Sequence, residues 1–274
     1  MKKILYLILT DASRIIVSMN FKKFIRAEEG EEKNSVVYYD EDGNKLIRYW
    51  KRYPDEPDDK VSTRSWRNNN PGNLRIGPFA RRNGAIGEAG LPPNSKPSDP
   101  KFAVFPDYET GRKAQAKRLK EGDLYIDLTL EDLPKRYVGV KLGNPDTKEV
   151  IDYRNAIRKF TKFDMKRTIR SLNDTEYEQL LDAMKRHEGW RDGREEPIFV
   201  KKILSVHVNS KRVISEFLVG DNQGKEWLSK PSAIALAEAG RLHAIVVHTK
   251  AGVYLRPEYH RTPFKQLIVP SIIA

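Results

Sequence analysis

Residues 174–190 read DTEYEQLLDAMKRHEGW, and this stretch decides how the middle of the chain is folded. Asp174, with Thr175 and Glu178 close behind, suits a helix start, and Gly189 suits a helix stop. Between them Tyr177, Leu180, Leu181 and Met184 recur at helical spacing. At ~100° per residue, with Tyr177 at zero, Leu180 falls near −60°, Leu181 near +40°, Met184 near −20° and Glu188 near +20°. A carboxylate therefore sits in the apolar stripe. It also sits in the last turn, against the negative end of the helix dipole. Both effects disfavour the charged form, which is the condition for a carboxylic acid to act as a general acid near neutral pH. The competing reading is a frayed helix end, with Glu188 turned to solvent or paired with Arg186 or Arg191.

Upstream, the pattern stays helical. Asp107 is placed to cap a helix over 108–121, Thr129 a short one through Lys135, and Asp146 or Thr147 a longer one with Val150, Tyr153, Ile157 and Phe160 on one face. These predict a mainly helical domain over 61–196. Before it, residues 35–51 (SVVYYDEDGNKLIRYWK) carry two β-rich runs around a polar Gly-Asn turn, which predicts a hairpin appendage within an N-terminal segment 1–60. The proline-containing run RYPDEPDDKVSTRS reads as a linker. Residues 80–101 have no period and are dense in Gly, Pro, Asn and Ser, as in a functional loop or lid. After residue 196 the texture changes. IFVKKILSVHVN, RVISEFLVG, a helix capped by Ser229 with Pro231 in its first turn and Gly240 as its stop, then LHAIVVHT and GVYLRP predict a small β-β-α-β-β domain over 197–274. The apolar tail FKQLIVPSIIA is expected to pack back or to meet a partner. The fold class expected is α+β.

A length of 274 residues suits two cores. Charged residues make up 32% and the net charge is +12, so the surface attracts anionic polymers: nucleic acid, teichoic acid or an acidic membrane face. The absence of cysteine removes disulfides, thiolate zinc sites and thiol catalysis together. The opening MKKILYLILT places two lysines before an apolar run, but that run stops at Asp11 after about seven residues, at the lower end of what a signal peptide uses, and Met19 is an alternative start. No segment approaches the ~18 apolar residues of a membrane span. The expectation is a soluble protein made in the bacterial cytoplasm, for delivery to the envelope or to a phage-like particle.

The amide run at 67–77, RNNNPGNLRIG, asks for more than a turn. Pro71 fixes φ and Gly72 tolerates φ > 0, which accounts for the corner but not for Asn69, Asn70 and Asn73 around it. Amides donate and accept hydrogen bonds together, so these three suit sugar hydroxyl and acetamido groups. Trp66 and Tyr108 are candidates for stacking on a sugar face, with core packing as the alternative. The five histidines, His187, His207, His243, His248 and His260, show no metal-ligand spacing: His243 and His248 fall five apart in one predicted strand and face opposite ways. No Walker lysine, dinucleotide-binding spacing or G-x-S-x-G elbow is present, so neither metal nor cofactor is expected.

RNNNPGNLR, together with FAVFPDYETGRKAQAKRL, NPDTKEVIDYRNAI and LLDAMKRHEGW, resembles a family of phage and prophage virion structural proteins that carry the Asn-Asn-Pro-Gly-Asn motif, several with a lysozyme-like look. The resemblance covers about residues 66–190. A second, weaker one is to peptidoglycan N-acetylglucosaminidases, in which a helix ending in a catalytic Glu precedes a paired-Asn motif, a Phe-x-x-aromatic strand and a helix. Here the Glu-ending helix comes last, so the resemblance implies a permuted lysozyme-like core with Glu188 in the catalytic place. The C-terminal segment from about Ile198 to Leu267 resembles, through ISEFLVG, WLSKPSAIALAEAGRLHAIVVHT and YLRPEY, a small bacterial domain family of unknown function, which implies a binding or docking module and nothing about its ligand; a virion or secretion-apparatus protein is the partner expected for it.

A lysozyme-like enzyme needs a protonated acid and a means of handling the oxocarbenium face. Glu188 is the acid; Glu88 and Asp107 are candidates for a second carboxylate, while transglycosylases work with one Glu. The functions expected are therefore peptidoglycan cleavage, a non-enzymatic virion or envelope role with glycan binding, or basic nucleic-acid binding, in that order.

Overall fold

The computed structural model describes residues 4–8, 15–19, 21–51, 57, 61–90, 96, 99–121, 124–210, 213–221, 224–250 and 252–257. Half of the N-terminal stretch MKKILYLILT, most of the linker, part of the 80–101 loop and the whole apolar tail lie outside them. Strands β1 (Ile4–Ile8) and β2 (Ile15–Met19) pair antiparallel. The chain divides into two units, Met1–Glu41 with Leu46–Glu196, and Asp42–Lys45 with Pro197–Ala274. Helices and strands are both abundant, so the class is α+β.

In the first unit, β3 (Phe24–Glu29), β4 (Val36–Asp40), β5 (Lys45–Arg48), β6 (Gly87–Ala89), β7 (Phe102–Val104) and β8 (Glu195–Ile198) form one sheet in the order β7-β6-β3-β4-β5-β8. The hairpin of β4 and β5 is thus no appendage, because its strands share a sheet with β6 and β7, which lie within residues 61–196. Likewise the 80–101 stretch is not a bare loop. It contains the end of helix α2 (Pro78–Arg82) and strand β6, which at three residues is too short to show a period.

The other helices are α1 (Arg64–Arg67), α3 (Tyr108–Lys120), α4 (Leu133–Tyr137), α5 (Lys148–Thr161) and α6 (Asp174–His187). Their ends follow cap chemistry. Asp107 accepts from the Thr110 amide at 2.7 Å and Thr147 from Val150 at 3.3 Å. For α6 the cap is Asn173, one residue before the predicted start, in a reciprocal capping box with Glu176. Tyr177, Leu180, Leu181 and Met184 meet Tyr153, Ile157, Leu119, Leu130 and Leu133 in one core. Each of these leucines contributes ~1.5–3 kcal/mol by leaving water. Phe160 departs from its predicted face and is exposed, while Thr161 is buried after Ile157 and ties its hydroxyl to the Ile157 carbonyl at 2.8 Å.

The second unit holds an antiparallel sheet of β9 (Lys202–Val208), β10 (Ile214–Asp221) and β11 (Gly224–Ser229), then α7 (Lys230–Glu238) and a hairpin of β12 (Ala244–Thr249) and β13 (Gly252–Pro257). Its core is Val206, Phe217, Val219, Ala233, Leu242 and Leu255. The predicted β-β-α-β-β order gains a strand, β11. That strand lies at the sheet edge and is mostly exposed, so its sequence lacks an apolar alternation. Ser229 caps α7 as read. His243 precedes β12 instead of lying within it, and its Nε2 is 2.7 Å from the Asp42 carbonyl oxygen.

Candidate active site

The end of α6 is built by backbone geometry. Gly189 adopts φ +71°, its amide donates to the Arg186 carbonyl at 3.2 Å, and the Trp190 amide donates to the Lys185 carbonyl at 3.4 Å. This is a Schellman stop, which needs a left-handed residue after the cap and so favours glycine. It leaves Glu188 as the capping residue, still in helical conformation, with its amide bonded to the Met184 carbonyl at 2.9 Å. The helix does not fray at this end.

The carboxylate turns inward. The Asn73 amide Nδ2 donates to Glu188 Oε2 at 2.6 Å. Burial pushes the Glu188 carboxyl above the usual carboxylate range, and the charge of Glu149 adds to the shift. The Asn73 bond, the Tyr153 hydroxyl and the Arg64 guanidinium oppose it. The Tyr153 hydroxyl forms no hydrogen bond of regular geometry, although it is close enough to favour the charged carboxylate. Burial in turn pushes the Tyr153 and Tyr137 phenols up, with Glu188 the next contributor to both. Around Glu188 there is accordingly a buried polar cluster. Asn73 Oδ1, the Gln115 amide and the Tyr153 hydroxyl all lie in it without a conventional partner among the described residues.

The amide run is what aims Asn73. Asn70 is 0% exposed; its Nδ2 donates to the carbonyls of Leu74 and Ala103, each at 2.9 Å, and its Oδ1 accepts from the Leu74 amide at 2.8 Å. Asn69 Nδ2 donates to the Phe105 carbonyl at 3.1 Å, and its Oδ1 accepts from Arg48 at 2.7 Å. Asn68 donates to the carbonyls of Ala89 and Ala103 at 3.2 and 3.4 Å. Three consecutive amides thus satisfy backbone groups around β6, β7 and the 70–74 turn. Asn69 and Asn70 are interior struts and not saccharide contacts, since both are buried and their side chains bond to strand and turn groups.

The left-handed positions in this run are Asn69 (φ 50°) and Asn73 (φ 46°), not Gly72. Gly72 is needed for another reason. A Cβ there would come within 2.4 Å of the Tyr137 hydroxyl and 2.7 Å of Gln115 Cγ, and the Gly72 carbonyl accepts from Tyr137 at 2.6 Å.

Trp66 is also a core residue, 7% exposed, with the Arg48 guanidinium 4.7 Å from its ring centroid. It is withdrawn as a stacking platform. Tyr108 is half-buried and meets Trp190 edge-on, centroids 4.9 Å apart, with the Lys185 ammonium over both rings. Asp107 is occupied as a helix cap, and Glu88 is an exposed partner of Arg81 at 3.4 Å. The acid whose charge reaches Glu188 is Glu149, in the first turn of α5 and one turn before Tyr153. Sequence reasoning missed Glu149, Tyr153, Gln115 and Arg64 as neighbours of Glu188. The 149/153 spacing on α5 was the available signal.

Among the described residues no cluster of potential ligands suits a metal ion, and no helix is long and apolar enough to cross a membrane. Compared with protein-family models and with curated proteins, the chain gives no match.

Proposed function

We propose that the chain cleaves glycosidic bonds of peptidoglycan, with Glu188 as general acid on a lysozyme-like core. The observation that carries this is the Glu188 carboxyl, held above its ordinary pKa by burial and fixed to Asn73 at 2.6 Å. A protonated Glu188 gives its proton to the glycosidic oxygen as that bond breaks, and the resulting carboxylate is then held by Asn73 and approached by the Tyr153 hydroxyl. In the second step the same carboxylate takes a proton back. It comes from attacking water in a hydrolase, or from the substrate's own hydroxyl in a transglycosylase. Glu149, whose charge reaches Glu188, is the carboxylate we assign to the oxocarbenium face. Tyr108 and Trp190, which pack edge to face just past the end of α6, are the aromatic surface we assign to the substrate. The resemblance of residues 66–190 to phage virion proteins fits delivery of such an activity to a bacterial wall, and the second unit fits a docking role.

The test is release of muropeptides from purified sacculi by the wild type and Glu188→Gln. The expected result is a loss of ~10²–10⁴-fold in the variant with the fold unchanged. Release that survives the substitution removes Glu188 as acid. No release from any wall type favours a virion or envelope structural protein.

A further inference from the structure

Arg64 and Arg67 stand one turn apart on α1 and line a cavity of about 210 Å³ together with Ser35, Trp50, Ser62 and Asn68. That is space for several waters, or for one small substituent. Buried arginines are ordinarily paired with carboxylates. Among the described residues neither the buried Arg67 nor the partly buried Arg64 forms a carboxylate ion pair. Arg67 is 6% exposed; its NH1 donates to the Ser62 carbonyl at 2.5 Å and to the Ser62 hydroxyl at 3.0 Å, and its buried Nε has no acceptor. Arg64 lies over the Phe102 ring at 4.1 Å, on which Arg75 also bears at 5.2 Å.

More positive charge stands nearby, because Lys33 and Lys51 each sit over the Trp50 ring, at 5.5 and 5.3 Å. Among the described residues no carboxylate lines the cavity, and nearby ones have other partners. Glu29 accepts from the Gly90 amide at 2.7 Å and pairs with Lys101, Glu32 faces Arg194 at 3.6 Å, and Glu188 is bound to Asn73. The Asn68 amide is likewise spent on backbone carbonyls. Burial and the neighbouring Arg64 charge draw Arg67 down to about 10, as befits a cation lacking its counter-charge.

We propose that this cavity binds one compact oxyanion, a carboxylate or a phosphate group of a larger ligand, gripped by the guanidinium groups of Arg64 and Arg67. Planar guanidinium forks match either anion. The binding site rests on these contacts alone, and only the source of the oxyanion, a wall-polymer substituent, rests on the proposed function. Arg64 connects the two. Its charge favours ionised Glu188, so an anion that neutralises Arg64 helps Glu188 keep its proton.

The experiment is thermal unfolding of the full chain titrated with sodium acetate and, separately, inorganic phosphate, against chloride at matched ionic strength. Saturable stabilisation is expected in the wild type and in Glu188→Gln, with apparent affinity at least tenfold weaker in Arg64→Gln. An acetate response assigns the site to carboxylates and a phosphate response to phosphate groups. Arg67→Lys serves as the second variant, because it keeps the buried charge while removing the fork, and the same weakening is expected. A rise that is unsaturated, or equal in both arginine variants and wild type, overturns the proposal. Muropeptide release is scored separately, so saturable binding without cleavage would leave the pocket standing and remove the glycan reading.

Discussion

Asn73 and Glu188, 115 positions apart, are joined by a 2.6 Å hydrogen bond from the Asn73 amide to the Glu188 carboxylate. That bond favours the ionised acid, while burial favours the neutral one, and burial is the larger effect. The pKa of Glu188 is therefore set by a balance that single substitutions can tip.

Replacing Asn73 with Gly removes the donor without straining a backbone held at φ 46°. The Glu188 carboxyl should then rise further. The pH–rate profile of wall cleavage should move its Glu188 limb to higher pH, with a loss of about tenfold in kcat/KM from the freed carboxylate orientation. A profile unchanged in position would mean that Asn73 does not hold the acid.

Glu188 also leaves a mark on stability. A carboxyl raised in the folded state contributes stability that is full below its unfolded value and is lost as pH rises through the folded one. Glu188→Gln, which does not titrate, should be more stable than wild type at neutral pH, and the difference should close as pH falls below the ordinary glutamate range. Melting curves from pH 4 to 8 read this directly. A constant gap would show that Glu188 titrates normally.

Asn70→Ala should cost about 3 kcal/mol in urea unfolding, since three hydrogen bonds to the Leu74 and Ala103 backbone are lost at a site without access to water. A cost below ~1 kcal/mol would show that Asn70 is not a strut.

At Gly72 the space is the constraint. An added Cβ would meet the Tyr137 hydroxyl and Gln115, so Gly72→Ala should destabilise by ~1–3 kcal/mol. It should also disturb Asn73, the next residue, so cleavage should fall by more than the stability loss explains. Cleavage that follows the folded fraction alone would separate Gly72 from the site.

Asp146 is drawn down to about 2 by hydrogen bonds from Arg154 and Lys135, and it ties α5 to the loop before it. The depressed value adds stability at neutral pH that disappears as pH falls through about 2. Asp146→Asn should be less stable than wild type at pH 7, with the two converging in strong acid. Parallel acid-unfolding curves would contradict this.

Helices α5 and α6 were legible because each combines a cap with an apolar stripe, and α3 because Asp107 caps it; both are local properties of the chain. The six-stranded sheet was much less so. Strands β6 and β7 are three residues long, and three residues do not establish a period of two. Strand β11 hid for a related reason, since an exposed edge strand needs no apolar alternation. At the site, the burial of Glu188 followed from its angle on α6, whereas the roles of Asn69, Asn70 and Trp66 did not. An amide that can bond a sugar can bond a strand's carbonyls equally well, and an aromatic that can stack on a sugar can pack in a core.

By itself the sequence determined the helix that carries Glu188, its stop at Gly189 and the apolar face on which the acid lies, because side-chain spacing and caps act within a few residues. Only the tertiary structure decided that Asn73, and not Asn69 or Asn70, meets that acid, and that Arg64 and Arg67 line one cavity whose lining, among the described residues, includes no carboxylate. The physical reason is the same in both cases: hydrogen bonds and burial between residues far apart in the chain depend on which strand covers which turn, and no local pattern records that.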